Sequence, residues 1–284
     1  MSDETAKSTL RLGLIGGNIT ATRSPALHIV CGLSLGRNVT YDLLIPAEQR
    51  LSFAALLAHC QAAGFAGVNV TYPHKEEAAA LVVAGDPVVT AMGSANTVLF
   101  TAHGPRAYNT DYSGFVAAWR ARWGAAPPGR VLLLGTGGVG RAVAFGLLAL
   151  GAREVVLHDT DLGKVVALAS AMRRHAAVPV QAAEPAMLRD LAGFDGVINC
   201  TPLGMAGRPG SALPDGVTGA PRWGFDAVYT PSDTRFRAQI EALGADFLSG
   251  YELYFHQGIA AFEFFSGTPI TAPDWVRGVL EHQP

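Results

Sequence analysis

The sequence lacks the residue patterns that mark disulfide-linked and metal-binding proteins. It has three cysteines in 284 residues, Cys31, Cys60 and Cys200, and their spacing forms no CxxC pair. Widely separated cysteines are typical of buried thiols in a reducing compartment, so we expect a cytoplasmic protein. The eight histidines form no HxxxH or HxxEH cluster, and we therefore expect no metal site.

Charge is scarce as well. Charged residues make up 15% of the chain, and the formal net charge is −2 without a basic run. We therefore expect neither nucleic acid nor a membrane surface as a partner. The sequence has no apolar run of membrane-spanning length, and the short polar segment 1–9 predicts neither a signal peptide nor an anchor. The length and the 49% hydrophobic content fit one or two α/β domains with a substantial core.

The most informative stretch is VLLLGTGGVGR, residues 131–141. Its four apolar residues predict a buried parallel strand, and the apolar residues 142–150 predict a helix after the turn. Between them Gly135, Gly137 and Gly140 have the GxGxxG spacing. Glycines at these positions allow a tight turn and a close approach of the backbone to a pyrophosphate, which the helix N-terminus then binds.

An acidic residue supports the same interpretation. A second predicted strand, residues 154–158, runs into Asp159, which lies 19 residues after Gly140. This is where a dinucleotide-binding domain carries the carboxylate that binds the ribose hydroxyls. We therefore predict a nucleotide-binding unit of the Rossmann type in the second half of the chain.

In the first half, polar residues follow predicted strands. Strand 10–15 leads into a loop that contains Thr22 and Ser24, and strand 66–70 is followed by TYPHK, which ends at Lys75. Sites in open α/β sheets are built at such strand ends. Judged by local sequence alone, Ser24 could equally cap a helix that has Pro25 in its first turn, and Lys75 could be a surface lysine.

Two further polar segments follow, around Asn96 and at Asn109-Thr-Asp111, where Asp111 could also be the N-cap of helix 112–123. The segment GAAPPG, residues 124–129, is the clearest linker signal and indicates a domain boundary between 112 and 128. We expect domains over 1–111, 112–249 and 250–284. The last of these would consist of helices 252–265 and 273–280.

Taken together, eight motifs resemble the shikimate dehydrogenase family, including its quinate-using members, over essentially the whole chain. They are Thr22-Arg-Ser-Pro25, Asn69-Val-Thr-Tyr-Pro-His-Lys75, Gly93-Ser-Ala-Asn-Thr97, Asn109-Thr-Asp111, Gly135 to Gly140, Asn199-Cys-Thr-Pro-Leu-Gly-Met205, Asp226-Ala-Val-Tyr229 and Gly250-x-x-Leu253-x-x-His-Gln257.

The resemblance implies an α/β fold of two domains, an N-terminal substrate domain and a Rossmann-type dinucleotide domain, with the C-terminal helices returning to the first. It implies that Lys75 and Asp111 form the catalytic pair. It further implies that the substrate, a small ring carboxylate bearing hydroxyls, is bound by Thr22, Ser24, Asn69, Thr71, Asn96, Tyr229 and Gln257. The implied cofactor-binding residues are Gly135, Gly137, Gly138, Val139, Gly140, Asp159, Thr160, Thr201, Gly250 and Leu253.

The chain departs from the family pattern in three places. Thr22 replaces the usual first serine, Leu253 replaces the usual methionine, and the segment 16–21 lacks the usual Pro and His. Many NADP-using relatives carry Asn-Arg-Thr where this chain has Asp159-Thr160-Asp161. We therefore expect NAD as the cofactor, with NADP as the alternative. The two aspartates could instead serve only to cap the helix from residue 162.

The expected function is that of an NAD(P)-dependent enzyme that transfers hydride reversibly between the nicotinamide and a ring hydroxyl, as in shikimate and 3-dehydroshikimate. Quinate is the alternative substrate, and we expect a monomer or homodimer. A non-catalytic nucleotide-binding protein would not need both Lys75 and Asp111. An amino-acid or folate-type dehydrogenase is disfavoured by Thr22, Ser24 and Gln257.

Overall fold

The computed structural model describes residues 9–17, 19 and 22–282. Residues 1–8 of the polar segment 1–9, and three residues of the loop segment 16–21, lie outside this part of the chain. The chain forms two compact units, each with its own six-stranded sheet. Unit 1 extends to Thr110 and resumes at Gln257, whereas unit 2 runs from Asp111 to His256. Within the described ranges, no helix has both the length and the apolar character needed to cross a membrane.

Unit 1 contains a mixed sheet in the order β2-β1-β3-β5-β6-β4. Its strands are β1 (Leu10–Ile15), β2 (Val39–Leu44), β3 (Gly67–Val70), β4 (Val83–Ala84), β5 (Thr97–Thr101) and β6 (Gly104–Tyr108). Its helices are α1 (Ser24–Ser34), α2 (Pro46–Gln49), α3 (Phe53–Ala62), α4 (Lys75–Leu81) and α5 (Pro87–Met92). β1 lies parallel to β2 and β3, while β5 is antiparallel to β3. The loops after β1 and β3 therefore leave the same edge of the sheet.

Unit 2 contains a fully parallel sheet in the order β12-β11-β10-β7-β8-β9. Its strands are β7 (Arg130–Leu134), β8 (Glu154–His158), β9 (Val180–Ala182), β10 (Gly196–Asn199), β11 (Trp223–Asp226) and β12 (Asp246–Ser249). Its helices are α6 (Thr110–Trp123), α7 (Gly138–Ala149), α8 (Leu162–His175), a short 3₁₀ helix (Pro185–Leu188) and α9 (Arg235–Ala242). The strand order reverses between β7 and β10, where open α/β sheets bind ligands. The predicted Rossmann-type fold is confirmed.

The C-terminal helices are α10 (Gly250–Ser266) and α11 (Pro273–Glu281). α10 begins in unit 2, but from Gln257 onward the chain belongs to unit 1. There Gly258 lies so close to Leu27 of α1 that a Cβ atom would come within 2.6 Å of its Cδ1. Arg37 also donates a hydrogen bond to the carbonyl of Ser266 at 2.8 Å. The predicted return of these helices to the first domain is confirmed. The domain boundaries at 111/112 and 249/250, which separate substrate-binding from cofactor-binding segments, stay predictions.

Several local predictions were wrong at helix starts. Ser24 is the first residue of α1 rather than its cap, and the N-cap is Arg23. Asp111 lies inside the first turn of α6, which begins one residue earlier. Between β2 and β3 the chain forms two helices rather than one, because Arg50 has a left-handed backbone (φ 54°) and Ser52 caps α3 by accepting from an N–H. Capping therefore does not account for Ser24 or Asp111.

The glycine-rich turn between β7 and α7 is held by backbone packing. Gly135 has a φ of +92°, and a Cβ atom there would lie 2.7 Å from the backbone of Cys200 at the end of β10. A Cβ atom on Gly140 would lie 1.9 Å from the carbonyl oxygen of Gly135. Both positions therefore require glycine, since the neighbouring atoms are backbone and cannot rotate away.

We expect Gly140→Ala to lower the free energy of unfolding by about 2 kcal/mol or more, because the methyl group forces the turn apart. Gly278→Ala is the matched control, since it lies in α11 with no atom within 4 Å of its Cβ position. Alanine there should be neutral or stabilise by about 0.5–1 kcal/mol. Thermal unfolding of both variants checks this expectation, and equal melting temperatures would contradict it.

Candidate functional site

Unit 1 places five of the predicted substrate-binding residues in one set of polar side chains. Thr22 and Ser24 lie where α1 begins, Asn69 lies in β3, Asn96 lies just before β5, and Gln257 lies in α10. Three further residues belong to the set: Thr97 of β5 and Thr110, which bond to the amide groups, and Tyr41 of β2, which bonds to Asn69. We call these eight residues the unit 1 polar network.

Asn96 is the most heavily bonded residue of the network. Its Oδ1 accepts from the backbone N–H of Thr110 at 2.7 Å, and from the hydroxyls of Thr97 at 2.9 Å and Thr110 at 3.1 Å. Because a backbone N–H can only donate, this contact identifies the side-chain oxygen of Asn96. Its Nδ2 then donates to Oε1 of Gln257 at 3.4 Å, which Thr110 also reaches at 3.4 Å.

The direction of bonding at Asn69 is set by a backbone carbonyl, which can only accept. Nδ2 of Asn69 donates to the carbonyl oxygen of Asn96 at 3.5 Å and to Oγ1 of Thr97 at 3.2 Å. The Oδ1 of Asn69 consequently faces Tyr41, whose hydroxyl donates to it at 2.9 Å. The amide groups of Asn69 and Asn96 are thus oriented by their neighbours.

The other end of the network is formed by hydroxyl groups. The backbone N–H of Ser24 donates to Oγ1 of Thr22 at 3.2 Å, and the Thr22 hydroxyl donates to Oγ of Ser24 at 3.0 Å. Burial raises the pKa of Tyr41, and the Ser24 side chain opposes this effect. The two hydroxyl groups therefore lie beside Tyr41, which bonds to the first of the three amide groups.

Sequence reasoning missed Tyr41, and it gave no role to Thr97 and Thr110 although both lie in the family motifs. Tyr41 pairs with Leu12 in the β1–β2 register. A tyrosine in an alternating strand is ordinary, so nothing local distinguished it. Its hydrogen bond spans 28 positions of the sequence, a relationship that appears only after the sheet has formed.

Lys75 and Thr71 are positioned by the segment that follows β3. Lys75 is the first residue of α4 and is buried, and its carbonyl accepts from the N–H of Ala95 at 2.9 Å. A buried ammonium at a helix N-terminus is disfavoured by the helix dipole, which argues against a plain surface lysine. The backbone of Thr71 bonds to Ile15 at 2.9 Å, and its methyl group packs on Gly16.

Asp111 and Tyr229 belong to unit 2. Asp111 is 5% exposed in the first turn of α6, where the positive end of the helix dipole favours a carboxylate. Tyr229 follows β11 and stacks on Tyr254, with ring centroids 4.9 Å apart. These two predicted site residues therefore lie in a different unit from the polar network.

The N-terminus of α7 has the features of an anion site. Its N-cap is Gly137, and no side chain caps the helix. A Cβ atom on Gly137 would meet nothing within 4 Å, so the backbone is open to a ligand at this point. Gly138, Val139 and Gly140 form the first turn of the helix, and first-turn N–H groups are the ones that bind anions.

Asp159 is held at the same edge of the sheet. Its Oδ2 accepts from the N–H and the hydroxyl of Thr136 at 2.7 and 2.9 Å, and its Oδ1 accepts from the N–H of Asp161 at 3.0 Å. Burial alone would raise the pKa of Asp159, but these hydrogen bonds, with a contribution from Lys164, lower it below the usual value. The carboxylate is therefore ionised and is fixed beside the glycine-rich turn.

The structure separates the roles of the two aspartates. Asp161 caps α8 by accepting from the N–H groups of Gly163 and Lys164, whereas Asp159 accepts from Thr136 in the glycine-rich turn. The prediction that both only cap the helix is wrong for Asp159. Thr160, between them, is exposed and lies 3.4 Å from the Asp159 carboxylate.

The remaining predicted cofactor residues surround the ends of β10 and β11. Thr201 donates its N–H and its hydroxyl to Asn199, which also donates to the buried Asp226 at 2.9 Å. Burial raises the pKa of Asp226, opposed by hydrogen bonds from Thr234, Val228 and Asn199. Gly250 begins α10, where a Cβ atom would lie 2.5 Å from the Asp226 carbonyl. Leu253 is buried.

The two units can therefore do different chemistry. Unit 1 offers oriented amide and hydroxyl groups suited to a polyhydroxylated ligand, and unit 2 offers a helix N-terminus and an ionised carboxylate suited to a dinucleotide. No group of three or more His, Cys, Asp or Glu side chains among the described residues is arranged to hold a metal ion.

Comparison with known proteins identifies a domain within unit 1. Residues 14–98 match the model of the shikimate dehydrogenase substrate binding domain. The chain is 35% identical over 268 residues to the quinate/shikimate dehydrogenase (NAD(+)) of Corynebacterium glutamicum strain R, covering 91% of this chain and 94% of the relative.

Solved structures extend the likeness to the fold. A quinate dehydrogenase from Corynebacterium glutamicum in complex with NAD superposes with a TM-score of 0.86 at 30% identity, over 95% of this chain and 99% of that one. A shikimate 5-dehydrogenase from Thermus thermophilus in complex with NADP(H) and shikimate gives 0.82 at 29% identity, over 96% and 98%. Because it is 35% identical to the Corynebacterium glutamicum relative over 91% of its length, the chain belongs to the shikimate dehydrogenase family of NAD(P)-dependent oxidoreductases.

Proposed function

We propose that this chain oxidises the ring hydroxyl of shikimate reversibly to 3-dehydroshikimate, with NAD(+) as the hydride acceptor. The observation that carries the proposal is the unit 1 polar network, in which Asn69, Asn96 and Gln257 are linked through Thr97 and Thr110, and the hydrogen-bonded pair Thr22 and Ser24 lies beside Tyr41. Its hydroxyl end would bind the carboxylate, and its amide end would bind the ring hydroxyls. The Thermus thermophilus relative was solved with shikimate, which supports this assignment.

Lys75 would exchange a proton with the substrate oxygen, and Asp111 would support Lys75 in this role. When a ring ketone is reduced, the oxygen becomes an alkoxide that a nearby ammonium can stabilise and protonate. In the oxidation direction the Lys75 amine would accept the hydroxyl proton. Asp111, a buried carboxylate in the first turn of α6, would hold Lys75 in place and supply the opposite charge.

The cofactor site would be provided by unit 2. The N-terminus of α7, which carries no side-chain cap, and the open space at Gly137 fit a pyrophosphate, and the ionised Asp159 fits a ribose that bears two free hydroxyls. When bound, the nicotinamide supplies or accepts the hydride. Thr201, Gly250 and Leu253 would border the nicotinamide end.

The preference for NAD would follow from Asp159. A carboxylate accepts hydrogen bonds from the 2′-hydroxyl of NAD but repels the 2′-phosphate of NADP. Thr160 stands where many NADP-using relatives carry arginine, so the chain offers no guanidinium at that position to bind the phosphate. The NAD complex of the Corynebacterium relative is consistent with this proposal.

Quinate is the second candidate substrate, because a curated relative is named a quinate/shikimate dehydrogenase. Oxidation of shikimate and quinate, each with NAD and NADP, tests the proposal in four assays. A cytoplasmic location and a monomeric or homodimeric state are part of the same proposal. A protein that only binds nucleotide would be inactive in all four assays.

We expect Lys75→Ala to lower kcat by about 10²- to 10⁴-fold, since the proton donor to the alkoxide is lost. Steady-state turnover with saturating substrate and cofactor is the measurement, with circular dichroism to verify folding. Glu77→Gln is the control, because Glu77 lies in the same helix and its exposed carboxylate forms a hydrogen bond with His74 at 2.9 Å. If the kcat of Lys75→Ala lay within tenfold of the wild-type value, the proposed role of Lys75 as proton donor would be wrong.

We expect shikimate to be used better than quinate. Quinate-using relatives tend to carry threonine where this chain has Ser24. At the first of the two hydroxyl positions, the extra methyl group of Thr22 would leave less space in the substrate pocket. One methyl group changes discrimination by about 1–3 kcal/mol. The values of kcat/KM for both substrates decide the question, and Thr22→Ser should improve quinate relative to shikimate. A higher kcat/KM for quinate in the wild type would refute the expectation.

We expect the wild type to prefer NAD, and Asp159→Ala to shrink the NAD:NADP ratio of kcat/KM by about tenfold or more, which is about 1.4 kcal/mol. Asp161→Asn is the matched control, because asparagine removes one charge but still caps α8. Its ratio should stay near the wild-type value. A wild-type preference for NADP, or an unchanged ratio in Asp159→Ala, would overturn the assignment.

A further inference from the structure

The Tyr41 hydroxyl lies between the two ends of the unit 1 polar network. It donates to Oδ1 of Asn69 at 2.9 Å, and the Ser24 side chain acts on the Tyr41 pKa against the effect of burial. Ser24 lies at the hydroxyl end of the network and Asn69 at the amide end. None of the eight sequence motifs includes Tyr41.

The bonding direction gives Tyr41 one role. The carbonyl oxygen of Asn96 can only accept, so it identifies Nδ2 as the donating side of the Asn69 amide. Oδ1 of Asn69 therefore faces Tyr41, whose hydroxyl donates to it. Asn69 is 7% exposed, so loss of the bond would leave a buried carbonyl oxygen without the Tyr41 proton, which is unfavourable.

The tyrosine ring is held by the core. It stacks on His28 with centroids 4.8 Å apart and an interplanar angle of 15°, and His28 also contacts Phe262 and Phe265. Burial lowers the pKa of His28 to about 3, although a hydrogen bond with Asn69 opposes the effect. The ring therefore stacks on a neutral imidazole, and the hydroxyl position is set by packing before any ligand binds.

We propose that Tyr41 is a positioning residue for substrate: it holds the Asn69 amide in the one orientation that suits the ring hydroxyls. The proposal rests on the proposed function above. The terminal torsion of an asparagine is soft, with a broad range of accessible angles. Thr97 and the Asn96 carbonyl hold only the amino side of this amide. Without the phenolic proton, Asn69 would therefore sample a wider range of orientations, in which its N–H groups are less well placed for the ligand, and substrate would bind less tightly.

The test compares wild type with Tyr41→Phe, Tyr108→Phe, Asn69→Ala and the double variant Tyr41→Phe/Asn69→Ala. Tyr108→Phe is the matched control, since it deletes one hydroxyl from a ring that also stacks in unit 1, on Phe264 at 4.1 Å, but lies outside the network. KM for shikimate, KM for NAD, kcat and the melting temperature are measured for each.

We expect Tyr41→Phe to raise KM for shikimate by about tenfold, the effect of one buried hydrogen bond. KM for NAD and kcat should stay within about threefold of wild type, and Tyr108→Phe should leave all values near wild type. In the Asn69→Ala background, Tyr41→Phe should change KM for shikimate less than about twofold, because both residues act through the same amide.

Three results would overturn the proposal. The first is a shikimate KM for Tyr41→Phe within twofold of the wild-type value. The second is an equal change in this KM when Tyr41→Phe is added to the wild type and to Asn69→Ala. The third is a Tyr41→Phe variant that does not fold, because the hydroxyl would then be a requirement for folding. Absence of wild-type activity on both shikimate and quinate would instead refute the proposed function, so the two failures are distinguishable.

Discussion

The hydrogen bond from the Thr110 N–H to Oδ1 of Asn96, at 2.7 Å, sets the orientation of the Asn96 amide in the unit 1 polar network. A backbone group cannot reverse its role, whereas hydroxyls can donate or accept and amides can flip. The backbone carbonyl of Asn96 likewise accepts from Nδ2 of Asn69, which leaves Oδ1 of Asn69 to accept from Tyr41. A site built this way is ordered before its ligand arrives, which lowers the cost of binding.

Unit 2 uses the same principle for a charged group. Asp159 receives backbone N–H donors from Thr136 and Asp161, and these keep the carboxylate ionised and fixed in direction. Asp226 accepts similarly from the Val228 N–H, yet burial raises its pKa. The difference is burial: Asp159 remains partly exposed at the sheet edge, as the proposed role in binding ribose would require, whereas Asp226 is buried and accepts from the end of β10 and from the loop after β11.

Regular elements with a strong pattern could be predicted from the sequence, and relationships between distant residues could not. β1 and β8 have the predicted bounds, because each is a short run bounded by turn residues. Ser24 and Asp111 were assigned as possible caps because serine and aspartate favour that position, but α1 and α6 begin at or before them. Tyr41 was not predicted to belong to the site, because its partner Asn69 lies two strands away in the sheet.

The departure at Thr22 can now be assessed physically. Its Oγ1 accepts from the Ser24 N–H and its hydroxyl donates to Ser24 Oγ, and a serine could form both bonds. The replacement of the usual serine therefore preserves the bonding of the network and changes only its shape, by one methyl group. Discrimination between ring acids would then depend on shape at the carboxylate end, while the oriented amides of Asn69 and Asn96 would recognise the hydroxyls that such acids share.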